Sequence, residues 1–87
     1  MSTLVIHTKS LSRCVQCDMT VRAAEAEGAQ YELAPGIDTP ERADELAVFK
    51  EQFNLAAAPI VEALDSEGRV LERWAGFVPD KIKEYAS

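Results

Sequence analysis

Two cysteines, three positions apart, stand where a strand pattern gives way to a helix pattern. Thr3–Thr8 is predicted as a buried strand, because its centre is a short apolar run with β-branched residues and its ends are polar. Val15–Glu27 contains good helix formers and neither Gly nor Pro, and Gly28 follows where a helix C-cap is expected. Cys14 and Cys17 therefore fall in the first turn of a helix that follows a strand.

The remaining elements also alternate between strand and helix patterns. Further strands are predicted at Ala29–Ala34, Ile60–Leu64 and Val70–Trp74, a helix capped by Thr39 and ending at Asn54, and a last helix at Pro79–Tyr85. The first two strands should be parallel, and the polar, Gly-containing connection before Val70 predicts an antiparallel hairpin. The order β-α-β-α-β-β-α predicts an α/β fold with a four-stranded mixed sheet flanked by three helices. At 87 residues we expect a single domain spanning 1–87.

Which side of the first helix faces the core is ambiguous. One apolar stripe contains Cys17, Val21 and Ala24, and another, nearly opposite, contains Val15, Met19, Ala23 and Ala26. The helix after Thr39 has Pro40 at its first position. Its apolar residues at helical spacing are Ala43, Leu46, Ala47 and Phe53.

Composition and charge argue against several classes of protein. The formal net charge of −6 opposes nucleic-acid binding, which needs clustered Lys and Arg. No stretch approaches the ~20 apolar residues of a membrane span, and no basic segment precedes an apolar run near the N-terminus, so we expect no signal peptide. Two cysteines in one four-residue window form no disulfide framework of a secreted domain, and we therefore expect a cytoplasmic protein.

The position of the cysteines at the start of a helix affects their reactivity. Unpaired N–H groups and the helix dipole stabilise a thiolate in the first turn, which lowers the pKa of Cys14 from its usual value of about 8.5. Cys14 is thus the predicted attacking thiolate, and Cys17 the resolving thiol that closes a redox-active disulfide. Lys9 and Arg13 add positive charge nearby. No bound cofactor and no metal are expected.

Three other interpretations of the cysteine pair remain open. The pair could be half of a structural zinc site, for which His7 is a further donor, although such sites usually take four Cys or His ligands. It could be a permanent structural disulfide, which is uncommon in cytosolic proteins. The cysteines could also be two unrelated buried thiols.

Two later segments are further candidates. Pro59 directly precedes an apolar strand, where its peptide bond is either cis or an ordinary trans bond. Trp74-Ala75-Gly76-Phe77 places two aromatic residues just after the last strand, either as core residues or as a contact surface. His7 is interpreted as a strand-end residue rather than a ligand or base.

Taken together, these residues resemble the NrdH-redoxins, glutaredoxin-like proteins that supply electrons to class Ib ribonucleotide reductase. The resemblance spans almost the whole chain. It depends on Cys14-Val15-Gln16-Cys17, on Ala58-Pro59-Ile60-Val61, and on Trp74-Ala75-Gly76-Phe77-Val78-Pro79-Asp80, which is similar to the family's Trp-Ser-Gly-Phe-Arg-Pro-Asp segment. The chain differs from that pattern in the longer Ser10–Arg13 loop, in a longer Asp65–Arg69 hairpin, and in Ala75 and Val78.

The resemblance implies a thioredoxin fold in which Pro59 is cis and the backbone of Ala58 pairs with a substrate strand. The substrate-binding residues it implies are Val15, Gln16, Ala58, Pro59, Trp74, Ala75, Gly76 and Phe77. It implies reduction of ribonucleotide reductase with electrons from NADPH that arrive through thioredoxin reductase. We expect a monomer. The alternatives are a glutathione-dependent glutaredoxin, disfavoured because bulky residues replace the Gly-Gly and Asp that receive glutathione, and a zinc-holding interaction module.

Overall fold

The computed structural model describes residues 2–86, and the terminal residues 1 and 87 of the predicted domain lie outside the described part. Over this range the elements are β1 (Thr3–Thr8), α1 (Val15–Ala26), β2 (Gln30–Pro35), α2 (Ala43–Phe53), β3 (Ile60–Leu64), β4 (Val70–Ala75) and α3 (Pro79–Ala86). A 3-10 turn at Pro40–Arg42 precedes α2. The predicted order of strands and helices is confirmed.

The strands form one mixed sheet in the order β2-β1-β3-β4. β1 is parallel to β2 and antiparallel to β3, and β3 is antiparallel to β4. This is the four-stranded α/β architecture expected from the sequence. The end of β1 lies beside the start of β3, with His7 opposite Ile60, so the β1–α1 loop and the segment before β3 lie at the same end of the sheet.

Several element boundaries differ from the prediction by one residue and the start of α2 by three, and two of these differences have a clear physical reason. β2 includes Pro35, which was expected to break the chain; a proline is tolerated there because β2 is an edge strand. Thr39 was expected to cap a helix that begins at Pro40, but α2 begins at Ala43. The Thr39 hydroxyl instead donates a hydrogen bond of 2.7 Å to the Gly36 carbonyl, so it closes the preceding turn.

One face of the sheet packs against α1 and α3 and carries the larger apolar core. This apolar face contains the buried residues Leu4, Ile6, Ala24, Val61, Ala63, Trp74 and Ile82. On α1 the buried side follows the first of the two stripes, since Cys17 and Ala24 are buried with Thr20 between them. Val15 and Met19 of the other stripe are 55% and 41% exposed.

The opposite face of the sheet packs against α2 and has a smaller core. Ile37, Phe49 and Ile60 are its buried apolar residues. Phe49 anchors α2, whereas Phe53, which the sequence pattern placed on the apolar side, is 38% exposed. The helix ends at Asn54 as predicted, in a left-handed conformation with φ 56°. None of the helices described over residues 2–86 has the length and apolar character to cross a bilayer.

Candidate active site

Cys14 and Cys17 are joined by a disulfide bond at the start of α1. Cys14 is the N-cap residue, with extended backbone (φ −128°, ψ 96°), and the Cα atoms of the two cysteines are 5.2 Å apart. The Cys17 N–H donates a hydrogen bond of 3.1 Å to the Cys14 Sγ. This N–H and the positive end of the helix dipole therefore lie where they stabilise negative charge on the Cys14 sulfur once the disulfide is reduced.

The two sulfur-bearing residues differ in their accessibility. Cys17 is 4% exposed and belongs to the buried side of α1, whereas Cys14 is partly exposed at the helix end. Only a sulfur that is accessible at the surface can attack a sulfur of another protein or be attacked by one. The geometry thus distinguishes an outer sulfur at Cys14 from an inner one at Cys17.

Two hydrogen bonds bring the three predicted segments of the site together. The Gln16 Oε1, between the cysteines, accepts a hydrogen bond of 3.1 Å from the Phe77 N–H. The neighbouring Gly76 N–H donates a bond of 2.8 Å to the Pro59 carbonyl. The Ala58–Pro59 peptide bond is cis, as the resemblance implied. The cysteine motif, the proline and the segment after β4 are therefore adjacent in space.

Gly76 occupies a position that another residue would disturb. Its φ of +84° lies in the left-handed region, and a Cβ there would approach the Gln16 Oε1 to 3.1 Å. A side chain would strain the backbone and press on the amide that holds Phe77.

The other predicted contact residues are placed differently. Val15 is 55% exposed beside the disulfide. Trp74 is 5% exposed and lies in the apolar core, where its ring stacks on Tyr85 with centroids 5.9 Å apart. Ala75 is the last residue of β4 and pairs with Ile60. The indole of Trp74 is therefore a packing element below the surface formed by Gly76 and Phe77.

A cleft of about 650 Å³ opens beside the disulfide, between α1 and β2. Lys9 and Arg13, the residues predicted to add positive charge, are both exposed and line it together with the two cysteines.

The loop between β1 and α1 is held by a residue that the sequence analysis missed. The Asp38 carboxylate accepts hydrogen bonds from the Ser10 N–H at 2.8 Å and the Leu11 N–H at 3.1 Å. These bonds, Ser10 first, and the nearby charge of Lys9 hold the pKa of Asp38 below its usual value. Asp38 thereby fixes the first half of the loop that leads to Cys14.

A polar cluster around a buried histidine on the α2 side of the sheet was also missed. His7 is 4% exposed, and its Nε2 lies 2.8 Å from the Glu62 Oε1. The Arg42 guanidinium donates to the His7 Nδ1 at 2.6 Å, and Arg73 donates to the other Glu62 oxygen at 2.9 Å. Because Nδ1 accepts, Nε2 must carry the ring hydrogen and donate it to Glu62. His7 lies one residue before the end of β1, within a network that joins three strands and the 3-10 turn.

The cysteine pair and His7 are the residues that the zinc interpretation requires to act as ligands. Across residues 2–86 no set of three or more His, Cys, Asp or Glu side chains is arranged to hold a metal ion. The zinc interpretation therefore has no third donor in the described part of the chain.

Comparison with known proteins gave matches among solved structures. No protein-family model and no curated protein matches the chain. The glutaredoxin-like NrdH-redoxin from Escherichia coli is 32% identical, with a TM-score of 0.67 over 94% of this chain and 92% of that one. A glutaredoxin from Archaeoglobus fulgidus is 22% identical (TM-score 0.68; 98% and 86% covered). Reduced thioredoxin pre-protein from Schistosoma mansoni is 16% identical (TM-score 0.59; 97% and 78% covered).

The fold and the disulfide at the start of α1 define a thiol–disulfide oxidoreductase of the thioredoxin superfamily. The two less similar structures support the fold. With 32% identity over nearly its whole length to the Escherichia coli protein, the chain belongs to the NrdH-redoxins, and the resemblance seen in the sequence is confirmed.

Proposed function

We propose that this redoxin is a dithiol electron donor to class Ib ribonucleotide reductase and that thioredoxin reductase reduces it in turn. The observation that supports this proposal is the unequal exposure of the disulfide, with Cys14 partly accessible and Cys17 buried behind it. A donor to another protein needs one sulfur that the target can reach and a second that only the first can reach.

In the proposed reaction the reduced protein acts in two exchange steps. The Cys14 thiolate attacks one sulfur of the target disulfide, which forms a mixed disulfide and releases the second target sulfur as a thiolate. Cys17 then loses its proton and attacks the Cys14 Sγ, which breaks the mixed disulfide and releases the first target sulfur. Two electrons pass to the target, whose thiolates take up protons, and the Cys14–Cys17 disulfide remains.

Residues around the disulfide have proposed supporting roles. The Cys17 N–H stabilises the Cys14 thiolate, and Lys9 and Arg13 add positive charge at the same end of α1. The proposed substrate-binding surface comprises Val15, Gln16, Ala58, Pro59 and Trp74–Phe77, with Trp74 acting from below by supporting the backbone. Hydrogen bonds from Phe77 to Gln16 and from Gly76 to Pro59 keep this surface continuous.

A coupled NADPH oxidation assay tests the source of electrons. The oxidised protein is mixed with NADPH and thioredoxin reductase, or with NADPH, glutathione and glutathione reductase, and insulin is the final acceptor. We expect oxidation of NADPH in the first mixture and little in the second, since Phe77 and its neighbours replace a glutathione-binding segment. The reverse result would assign a glutathione-dependent glutaredoxin, and activity in neither mixture would favour an interaction module.

Trapping identifies the target. Cys17→Ser leaves Cys14 able to form a mixed disulfide that nothing resolves, so the variant should accumulate a covalent complex with ribonucleotide reductase that dithiothreitol releases. Cys14→Ser is the matched control and should form none. If neither Cys17→Ser nor Cys14→Ser forms a covalent complex with ribonucleotide reductase, the proposed target is wrong.

A further inference from the structure

Among the described residues, the positive side chains without a salt bridge are concentrated beside the disulfide. Within residues 2–86, four of the nine Lys and Arg side chains form salt bridges with carboxylates: Arg42, Arg69, Arg73 and Lys81. Of the other five, three line the cleft next to the disulfide, namely Lys9, Arg13 and Arg22. All three are exposed. In a chain with a net charge of −6, this is a local reversal of sign.

The cleft also has an apolar side, which lies at the edge strand β2. Leu33 of β2 is 53% exposed, and it lines the cleft opposite Val21 of α1. β2 is the terminal strand of the sheet and pairs with β1 alone, so its outer edge has no strand partner in the described part of the chain. At the end of this strand the Arg42 guanidinium donates to the carbonyls of Ala34 and Pro35, which leaves the earlier part of the edge for a peptide. An extended peptide suits such an edge, because its backbone can pair with the strand while its side chains contact the cleft.

Two carboxylates line the same cleft but leave its cations in excess. Glu25 lies close to Tyr31, and burial first, then the interaction with the Glu25 carboxylate, raise the pKa of Tyr31. Asp18 lies in the first turn of α1. An acidic partner would be repelled by most of this protein's surface and attracted at the cleft, which orients its approach toward Cys14.

We propose that the cleft binds an extended acidic segment of the target protein that flanks the disulfide being reduced. Carboxylates of this segment contact Lys9, Arg13 and Arg22, and an apolar residue covers Val21 and Leu33. This inference rests on the proposed function, since it assigns the class of substrate to the same redox centre.

Three peptides test the inference. Each has the same small disulfide loop followed by a short tail that is rich in Asp and Glu, in Asn and Gln, or in Lys. The rate of reduction by the full-length reduced protein is measured at low salt and at about 0.5 M salt, where charges beyond a few ångströms are screened. We expect the acidic peptide to react about five- to tenfold faster than the neutral one at low salt. That preference should disappear at high salt.

Charge-removing variants locate the effect. Arg22→Gln and Arg13→Gln should each lower the ratio of the acidic to the neutral rate by about two- to fivefold. The ratio is used because it cancels any change in the intrinsic reactivity of Cys14. Lys50→Gln, an exposed cation on the opposite side of the sheet, is the matched control and should leave the ratio unchanged.

The outcomes separate this inference from the proposed function. Equal rates for the acidic and neutral peptides, or an equal fall in the ratio for Lys50→Gln and Arg22→Gln, would overturn the docking inference while leaving a dithiol reductant. Failure to reduce any of the three peptides would overturn both.

Discussion

The two faces of the sheet are stabilised by different kinds of contact. On the α1 and α3 side, seven buried residues form a continuous apolar core. On the α2 side, three buried apolar residues lie next to the polar cluster of His7, Glu62, Arg73 and Arg42. The apolar face gains free energy in proportion to the area it buries, with little dependence on direction, whereas the polar face depends on specific donor and acceptor positions.

This difference indicates that the two faces of the sheet have different structural roles. We expect the apolar face to supply most of the free energy of folding, and the polar face to hold the ends of β1, β3 and β4 in their relative positions. Those ends carry the loop to Cys14, the proline before β3 and the segment after β4. Disruption of each face should therefore have a different signature, and the following predictions test this.

The largest expected loss of stability comes from a substitution on the apolar face. Ile82 is the fully buried residue by which α3 packs on the sheet. Ile82→Ala should lower the free energy of unfolding by about 2–5 kcal/mol, because it removes buried methyl groups and leaves a cavity. Urea denaturation measures this loss. Val48→Ala, at a position 42% exposed, is the control and should change little; equal losses in both variants would contradict this account of the core.

Substitutions on the polar face should lower the free energy of unfolding by less, and their effects should depend on one another. Glu62→Gln weakens the charge-assisted bonds to His7 and Arg73, with an expected cost of about 1–3 kcal/mol. Because the two residues share one interaction, Glu62→Gln and Arg73→Gln should not be additive in a double-mutant cycle. Glu62→Gln combined with Ile82→Ala, on opposite faces, should be additive. Additivity in both pairs would show that the polar cluster does not act as a unit.

Asp38 provides a pH-dependent test of the loop before Cys14. Its pKa is lowered in the folded protein, so its contribution to stability is present above the unfolded-state pKa of about 4 and is lost as the pH falls through the lower folded-state pKa. Asp38→Asn should therefore lower the urea midpoint at pH 7 and have little effect near pH 2. A midpoint difference of the same size at both pH values would contradict a role for the carboxylate charge.

The smallest expected effect is at the edge of the apolar face. Tyr85 donates a hydrogen bond of 2.7 Å to Glu72, and this bond and burial raise the pKa of Tyr85 to about 12. A raised folded-state pKa stabilises the protein below the unfolded-state value of about 10, and this stabilisation is lost as the pH rises through 12. The urea midpoint of the wild-type protein should therefore fall between pH 10 and pH 12, and the midpoint of Tyr85→Phe should fall less over the same range. Parallel alkaline profiles would show that the phenol does not contribute.

Much of the fold follows from local sequence signals. Thr3–Thr8 is both the predicted and the observed first strand, and Asn54 ends α2 as expected. The cysteine pair was placed correctly because a strand, a loop and a helix without Gly or Pro are all readable locally. The buried side of α1 was not, since the choice between two stripes depends on how the helix packs against the sheet.

The missed features depend on contacts between distant residues. Asp38 reaches the loop after β1 across 28 positions of sequence, and His7 reaches Glu62 across 55. One signal was nevertheless present. Glu62 interrupts an apolar strand, and a carboxylate that is half-buried in a sheet needs a partner. That argument predicts a buried cation or donor near Glu62 but not which one, because the strand register supplies the identity.

The bond between Gln16 and Phe77 has a consequence for protein engineering. The two residues between the cysteines of a redox motif can be replaced with the aim of changing only the reactivity of the cysteines. In this protein the Gln16 amide also holds the segment after β4, and its Oε1 would lie only 3.1 Å from a Cβ at position 76. Grafting another dipeptide between Cys14 and Cys17 would remove the bond that holds the Phe77 backbone, so a change made to tune the cysteines would also loosen the segment after β4.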